Sequence, residues 1–218
     1  MAKQRSARLR APSPASAQAA VVSRALAPRI TVEMPVLGIG SGPADYEGLG
    51  RFVRALRRPV GLHLTLLHIG VLADFARDVE VWTRGTTSAA RASEATVAWL
   101  RGLPVLEPFS GSAGRLVVLG GGGVYGLEVA VPGPVRDFQV SLVEGLHGLL
   151  DGLLVDNVDD FILGSRALGY RYPRWTPHVA VGRPGAYPAT AVEVAPLRME
   201  FGPSQIRNAR FLPGSGDG

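Results

Sequence analysis

The sequence contains no cysteine, and this absence excludes several kinds of chemistry. Without a thiol there is no disulfide framework, no thiolate nucleophile and no cysteine-ligated metal centre. Histidine is also scarce, with four residues in a chain of 218: His63, His68, His147 and His178. Any histidine chemistry must therefore come from these positions.

Long apolar runs are missing as well. No stretch approaches the roughly 18–20 uninterrupted apolar residues that a membrane helix needs, so we expect no association with a membrane. Arg24 interrupts the apolar part of the N-terminal region, which argues against a secretory signal. We interpret residues 1–28 as a disordered basic tail with room for a short helix at 17–26, although an organelle transit peptide has a similar composition. A cytoplasmic location is expected.

Lysine is nearly absent, since Lys3 is the only one and arginine supplies the other basic side chains of a chain with net charge +5. This balance suits an anionic partner such as RNA, a nucleotide or a phosphate, but a codon bias toward arginine gives the same composition. The hydrophobic content of 46% is typical of a soluble globular protein. The length allows one substantial domain or two small lobes.

The rest of the chain has the periodicities of short strands and helices. The predicted strands are 29–35, 60–69, 105–109, 115–119, 125–131, 176–184, 192–194, 197–201 and 206–211. The predicted helices are 44–57, 87–103 and 134–154, whereas 70–86 is ambiguous and 156–174 is expected to be mostly loop. Residues 120–123 are expected to form a glycine turn with positive φ. This order predicts an α+β fold with mostly antiparallel sheets in two similar halves.

Two of the predicted strands carry a histidine at equivalent places. They read His63-Leu64-Thr65-Leu66 and His178-Val179-Ala180-Val181, with the histidines at positions 63 and 178, 115 residues apart. Side chains two apart in a strand share a face, so Thr65 accompanies His63 and Ala180 accompanies His178. The repetition indicates an internal duplication with one histidine in each half.

Two histidines that face one phosphate can divide a proton-transfer reaction between them. An imidazole has an ordinary pKa near ~6.5, so one ring can accept a proton while the other donates one. A hydroxyl two residues along the strand can hydrogen-bond a phosphate oxygen, and an arginine can offset the charge that develops on phosphorus. The sequence has no carboxylate cluster suited to a metal.

These stretches resemble the paired His-x-Thr/Ser signatures of the 2H phosphoesterase superfamily, which includes bacterial RNA 2′,3′-cyclic phosphodiesterases, also called 2′–5′ RNA ligase-like proteins. The first stretch fits fully, and the run from Pro177 to Arg183 resembles the second signature with its arginine. The resemblance covers residues 29–212 and leaves 213–218 as a flexible C-terminus. It implies a bilobal, pseudo-symmetric α+β fold whose histidine strands face a central cleft.

The resemblance also implies roles for particular residues. His63 and His178 would be the catalytic acid–base pair, and Thr65 and Arg183 would hold the phosphate, with no metal and no cofactor. The partners would be RNA ends or small cyclic nucleotides, and we expect a monomer. The order in which the two histidines act as base and acid stays open.

One position departs from the pattern, because Ala180 replaces the usual threonine or serine of the second signature. The departure favours either a weakened enzyme or a second interpretation, a binding module that holds RNA ends or cyclic nucleotides without efficient turnover. A third interpretation is an α+β protein whose histidines only resemble the motif, and it predicts that His63 and His178 lie far apart.

Aromatic and basic residues precede the second histidine strand. Tyr172 and Trp175 are candidates for stacking a base at the mouth of the cleft, or for packing alone, and Tyr170 is a similar candidate. Arg171 and Arg174 are candidate contacts for a nucleic-acid backbone. By strand alternation His68 is expected on the face opposite His63, as a structural or surface residue, and His147 is expected to be an ordinary helix residue.

Overall fold

The computed structural model describes residues 28–40, 43–165, 167–168, 175–185, 190–209 and 212. The strands are β1 (Arg29–Ile39), β2 (Val53–Arg54), β3 (His63–Val71), β4 (Phe109–Leu119), β5 (Val124–Ala130), β6 (His178–Pro184), β7 (Val192–Phe201) and β8 (Gln205–Arg207). The helices are α1 (Pro43–Glu47), α2 (Leu72–Trp82), α3 (Ala89–Arg101), α4 (Gly133–Gly152) and α5 (Val158–Gly164), with 3₁₀ turns at Gly48–Arg51 and Gly120–Gly122.

All strand pairings in the described part of the chain are antiparallel, and they join both halves into one sheet. The strands follow the order β2-β6-β3-β1-β7-β4-β5, and β5 pairs back with β6, so that six of them form a closed ring. β8 adds to the edge of β1. The predicted α+β class with mostly antiparallel strands is confirmed, and the two halves share a continuous sheet.

The helices form where the sequence supplies caps and apolar stripes. Ser88 caps α3, its hydroxyl accepting a hydrogen bond from the Arg91 amide at 3.3 Å, and Gly102 follows the last residue of that helix. Pro134 lies in the first turn of α4, where proline costs no hydrogen bond. The buried stripe of α4 includes Leu142 and Leu146, and this helix packs against β3. No helix in the described part of the chain is long and apolar enough to span a membrane.

Several predicted boundaries are wrong. The helix expected at 44–57 is instead α1, a 3₁₀ turn and β2. The short strand expected at 105–109 is mostly irregular. β4 instead starts at Phe109 and runs to Leu119, so it includes the strand predicted at 115–119. The expected pair at 192–194 and 197–201 is the single strand β7, and the last strand is limited to β8.

The segment that fitted no single pattern, 70–86, contains α2, and the segment predicted as mostly loop contains α5. Phe161 and Ile162 of α5 are buried in the core. Phe161 meets the rings of Phe75 and Trp82 edge to face, at centroid distances of 6.1 and 5.5 Å. Burial of Phe161 and Ile162 and this aromatic contact stabilise a short helix within the segment that was predicted as loop. The proposed N-terminal tail and its short helix lie outside the described residues.

Candidate functional site

The pairing of the two histidine strands defines the site. Leu64 of β3 pairs with Val179 of β6, and both side chains are fully buried. Opposed residues of an antiparallel pair share a face, and successive residues along a strand alternate between the two faces. His63 is therefore paired with Ala180, and Thr65 with His178, on the face that Leu64 and Val179 do not occupy. Four partly exposed residues form this patch, which we call the histidine face: His63, Thr65, His178 and Ala180. The two histidines occupy diagonal positions, whose side chains start roughly 7 Å apart.

His178 is held in one orientation by the backbone just before its strand. Its Nδ1 lies 2.7 Å from the carbonyl oxygen of Thr176, so the Nδ1–H donates there and Nε2 carries the lone pair in the neutral ring. Gly126 of β5 leaves room for the ring, since a Cβ at that position would lie 3.0 Å from His178 Cδ2. The nitrogen that can exchange a proton with a bound group is therefore Nε2.

His63 stands between groups of opposite charge. Its Nδ1 lies 3.5 Å from the Gly61 carbonyl oxygen and 3.2 Å from Arg207 Nη2, and its Nε2 lies 3.5 Å from a carboxylate oxygen of Glu33. Burial lowers the pKa of His63 below the usual histidine value, Arg207 and Arg57 lower it further, and Glu33 opposes them. The net direction is downward, so the ring is neutral near pH 7.

Glu33 of β1 was missed by the sequence analysis. Its side chain is 2% exposed and lies opposite Thr65 across β1 and β3. It accepts hydrogen bonds from the Thr31 hydroxyl at 3.1 Å and from Arg207 Nε at 3.1 Å, which compensate the burial of a charge. The only sequence signal is an acidic residue inside an apolar strand.

The prediction that His68 lies on the face opposite His63 is wrong. Glu33 pairs with Thr65, but Val32 pairs with Leu67, so one extra residue is inserted in β3. This β-bulge reverses the alternation beyond it, and His68 faces the same side as His63. Burial, together with the charge of Arg29, lowers the pKa of His68 below the ordinary histidine value.

Thr65 presents a hydroxyl for which no hydrogen-bond partner is found among the described residues. Its carbonyl oxygen accepts a hydrogen bond from the indole N–H of Trp175 at 3.1 Å. Trp175 is partly buried and packs against the core. The indole therefore ties the segment before β6 to β3, close to the Leu64–Val179 pair that joins the two strands. A base-stacking role for Trp175 stays a prediction.

A cation lies near the residue at which the second motif lacks its hydroxyl. Arg57 Nη1 is 3.4 Å from the carbonyl oxygen of Ala180. Arg183 is exposed near the end of β6. Gly126 pairs with Ala180 but Tyr125 pairs with Gly182, so a bulge at Val181 brings Arg183 back to the face of Ala180.

The other candidates divide into those outside the described residues and those away from the site. Tyr170, Arg171, Tyr172 and Arg174 lie outside the described residues. His147 is on α4, where its Nε2 lies 3.6 Å from Asp159. In the part of the chain that the structure describes, no group of three or more His, Asp or Glu residues is placed to hold a metal ion.

No protein-family model matches the sequence, and no curated protein matches it either. Two solved structures align with most of the chain. The crystal structure of TT0787 of Thermus thermophilus shares 15% identity at a TM-score of 0.42, covering 83% of this chain and 96% of that one. A crystal structure described as a phosphoesterase shares 14% identity at a TM-score of 0.38, covering 82% of this chain and 96% of the other. Any assignment of function therefore depends on the geometry of the histidine face.

Proposed function

We propose that the protein is a phosphodiesterase that hydrolyses a 2′,3′-cyclic phosphate, or a related 2′–5′ nucleotide linkage, with His63 and His178 as base and acid. The observation that carries this proposal is the antiparallel pairing that puts both histidines and Thr65 on one face. The resemblance of both motifs to those of 2H phosphoesterases supports RNA ends or small cyclic nucleotides as substrates. Residues 29–212 would form the catalytic unit.

His63 is the better candidate for the base because its lowered pKa keeps the ring neutral near pH 7. For Nε2 to take a proton from the attacking water as the water oxygen bonds to phosphorus, Nδ1 must carry the ring proton and donate it to the Gly61 carbonyl. This requires Arg207 Nη2, a donor 3.2 Å from Nδ1 in the structure, to move away. Glu33, 3.5 Å from that nitrogen, stabilises the imidazolium that forms.

His178 then has the complementary role. Its Nδ1–H is held by the Thr176 carbonyl, so the imidazolium gives its Nε2 proton to the sugar oxygen as the bond between that oxygen and phosphorus breaks. The product is an open phosphomonoester. One proton passes from His63 to solvent and one from solvent to His178, which restores both rings.

The phosphate itself needs donors that do not titrate. The Thr65 hydroxyl supplies one, and Arg57, beside the Ala180 carbonyl, supplies positive charge where the second motif has no hydroxyl. Arg183 joins them on the same face. Removing one donor to a transition-state oxyanion commonly costs on the order of 10²-fold in rate, so we expect Ala180 to reduce turnover even with Arg57 present.

Ala180 also motivates a second candidate function, a module that binds the same ligands without efficient hydrolysis. Ala180→Thr distinguishes the two candidates. A rise of roughly tenfold or more in kcat would identify a weakened enzyme, whereas unchanged binding without hydrolysis would favour the module.

The direct test is hydrolysis of nucleoside 2′,3′-cyclic phosphates, and of a short RNA with a cyclic end, in the presence of EDTA. We expect activity in the wild type and a loss of at least roughly 10²-fold in His63→Ala and in His178→Ala. His147→Ala is the matched control because it removes the same side chain from α4 and should keep the activity. Full activity in either site variant would refute the two-histidine mechanism.

A further inference from the structure

A cavity of about 860 Å³ lies beside the histidine face and is lined by arginines. Arg54, Arg57 and Arg183 contribute to its wall, together with the turn between β4 and β5 at Gly122–Val124. None of the described lining residues is acidic. The cavity therefore concentrates positive charge in a concave site.

Two of these arginines oppose each other directly. Arg54 of β2 and Arg183 of β6 are Cα partners in the antiparallel pair, a position where like charges destabilise a sheet. Within the described residues neither of them, nor Arg57, forms an ion pair with a carboxylate. Arg54 Nε donates to the Pro184 carbonyl at 3.2 Å and Arg57 Nη1 to the Ala180 carbonyl at 3.4 Å, but these neutral acceptors leave the three positive charges unbalanced and able to attract an anion from outside the chain.

The backbone is shaped to bring these residues together. Ala55 has a φ of 49°, a left-handed conformation that is unfavourable for a residue with a Cβ and turns the chain between Arg54 and Arg57. A Cβ on Gly185 would lie 2.8 Å from the carbonyl oxygen of Phe52, so the close approach of this loop to β6 depends on a glycine there. Strain of this kind clusters at ligand sites.

The cavity and the histidine face are neighbours along β6, since Gly182 and Arg183 line the cavity and His178 and Ala180 belong to the face. The Arg57 amide donates to the Val181 carbonyl at 2.8 Å, and its guanidinium reaches the carbonyl of Ala180. Arg183 follows three residues later on the same strand. A ligand whose reacting phosphate lies on the histidine face therefore has the arginines within reach of its next anionic group.

We propose that Arg54 forms a second phosphate subsite together with Arg57 and Arg183, which are shared between it and the reacting phosphate, and that this subsite selects substrates that carry another phosphate besides the one that reacts. This proposal rests on the proposed function, because the subsite can select substrates only if the protein is a phosphodiesterase. The second phosphate is either a 5′-phosphate on the same nucleotide or the internucleotide phosphate of an RNA end. Either group would be held by charge-assisted hydrogen bonds to guanidinium groups.

The test compares three substrates: adenosine 2′,3′-cyclic phosphate, the same compound with a 5′-phosphate, and a dinucleotide with a 2′,3′-cyclic end. We expect the second phosphate to lower KM roughly tenfold. The substrate with the lower KM shows whether the subsite binds a 5′-phosphate or an internucleotide phosphate. Arg54→Gln should remove the difference, while Arg58→Gln, the control on a neighbouring residue that does not line the cavity, should keep it. Equal KM values for all three substrates in the wild type would overturn the proposal.

A binding measurement separates this proposal from the proposed function. Pyrophosphate, followed by calorimetry and by thermal melting, should bind wild type and His178→Ala but not Arg54→Gln. In low-salt buffer without the anion, the melting temperature of Arg54→Gln should stay close to that of wild type, because relief of the repulsion between two opposed like charges offsets the lost hydrogen bond from Arg54 Nε to the Pro184 carbonyl. Pyrophosphate binding without any turnover would support the second phosphate subsite and contradict the proposed phosphodiesterase function. Turnover together with equal pyrophosphate binding by wild type and Arg54→Gln would support the function and contradict the subsite.

Discussion

Replacing Gly126 with alanine adds a methyl group beside the ring of His178. The new Cβ would lie 3.0 Å from His178 Cδ2 and 3.1 Å from its Cβ, and 2.6 Å from Cδ1 of Leu119. The leucine methyl is the end of a flexible side chain and can move away. The histidine is tethered by the 2.7 Å bond to Thr176, so its ring must shift by about 0.4 Å to reach an ordinary contact of 3.4 Å.

The shift has a calculable consequence for catalysis. A misplacement of about 1 Å costs on the order of 10²-fold, so about 0.4 Å should reduce kcat/KM roughly five- to tenfold. Overpacking lowers the free energy of unfolding by about 1–3 kcal/mol. Alanine also reduces the conformational entropy of the unfolded chain relative to glycine, which offsets about 0.4–1 kcal/mol of this loss. Gly126→Ala should therefore stay folded while losing activity.

The assay is EDTA-resistant hydrolysis of a 2′,3′-cyclic nucleotide beside a thermal melt. Gly148→Ala is the matched control: it lies on α4, its Cβ would meet open space, and it should be slightly more stable with full activity. A folded Gly126→Ala protein with unchanged kcat/KM would refute the reasoning, because the ring of His178 would then not need its present position.

Three further predictions follow from the titrating and hydrogen-bonding groups. Arg207→Gln removes a charge that lowers the pKa of His63, so the acidic limb of the kcat/KM profile should move to higher pH. Glu33→Gln removes a charge that raises this pKa and should move the limb to lower pH. Shifts of both variants in the same direction would contradict His63 as the base. Burial lowers the pKa of His68, so below about pH 6.5 the unfolded chain binds more protons than the folded protein, and stability should fall as the pH falls. The melting temperature of His68→Gln should fall less than that of wild type over the same pH range. An equal fall in both proteins would exclude His68 as its source. Trp175→Phe removes the indole donor to the β3 carbonyl and should lower the free energy of unfolding by about 0.5–1.5 kcal/mol in urea; unchanged stability would show that the bond contributes nothing.

The two histidine strands were predictable because alternation is a local property. Leu64 and Val179 are buried and their neighbours are partly exposed, which is the pattern that each sequence run has by itself. Their direct pairing goes against the interpretation in which His63 and His178 lie far apart. The helix predicted at 44–57 failed because apolar residues at helical spacing also satisfy a short helix followed by a turn and a strand.

The rest of the site depends on features that a sequence pattern does not carry. A β-bulge adds one residue without a distinctive signature, so the faces of His68 and Arg183 could not be assigned by counting. The contact between Glu33 and Arg207 joins residues 174 positions apart. Arg57 reaches Ala180 through a turn that depends on the positive φ of Ala55.

The position of β1 in the ring also bears on how the protein is made. Glu33 is synthesised before its partner Gln205, which follows 172 residues later. At about 5–20 residues per second, this interval is roughly 10–30 s. During that time the carboxylate that will be buried beside His63 has neither β8 nor the guanidinium of Arg207. The site is therefore completed only when synthesis of the sheet is nearly finished, and a nascent chain that stops before β8 would carry both histidines without the groups that set the protonation of His63.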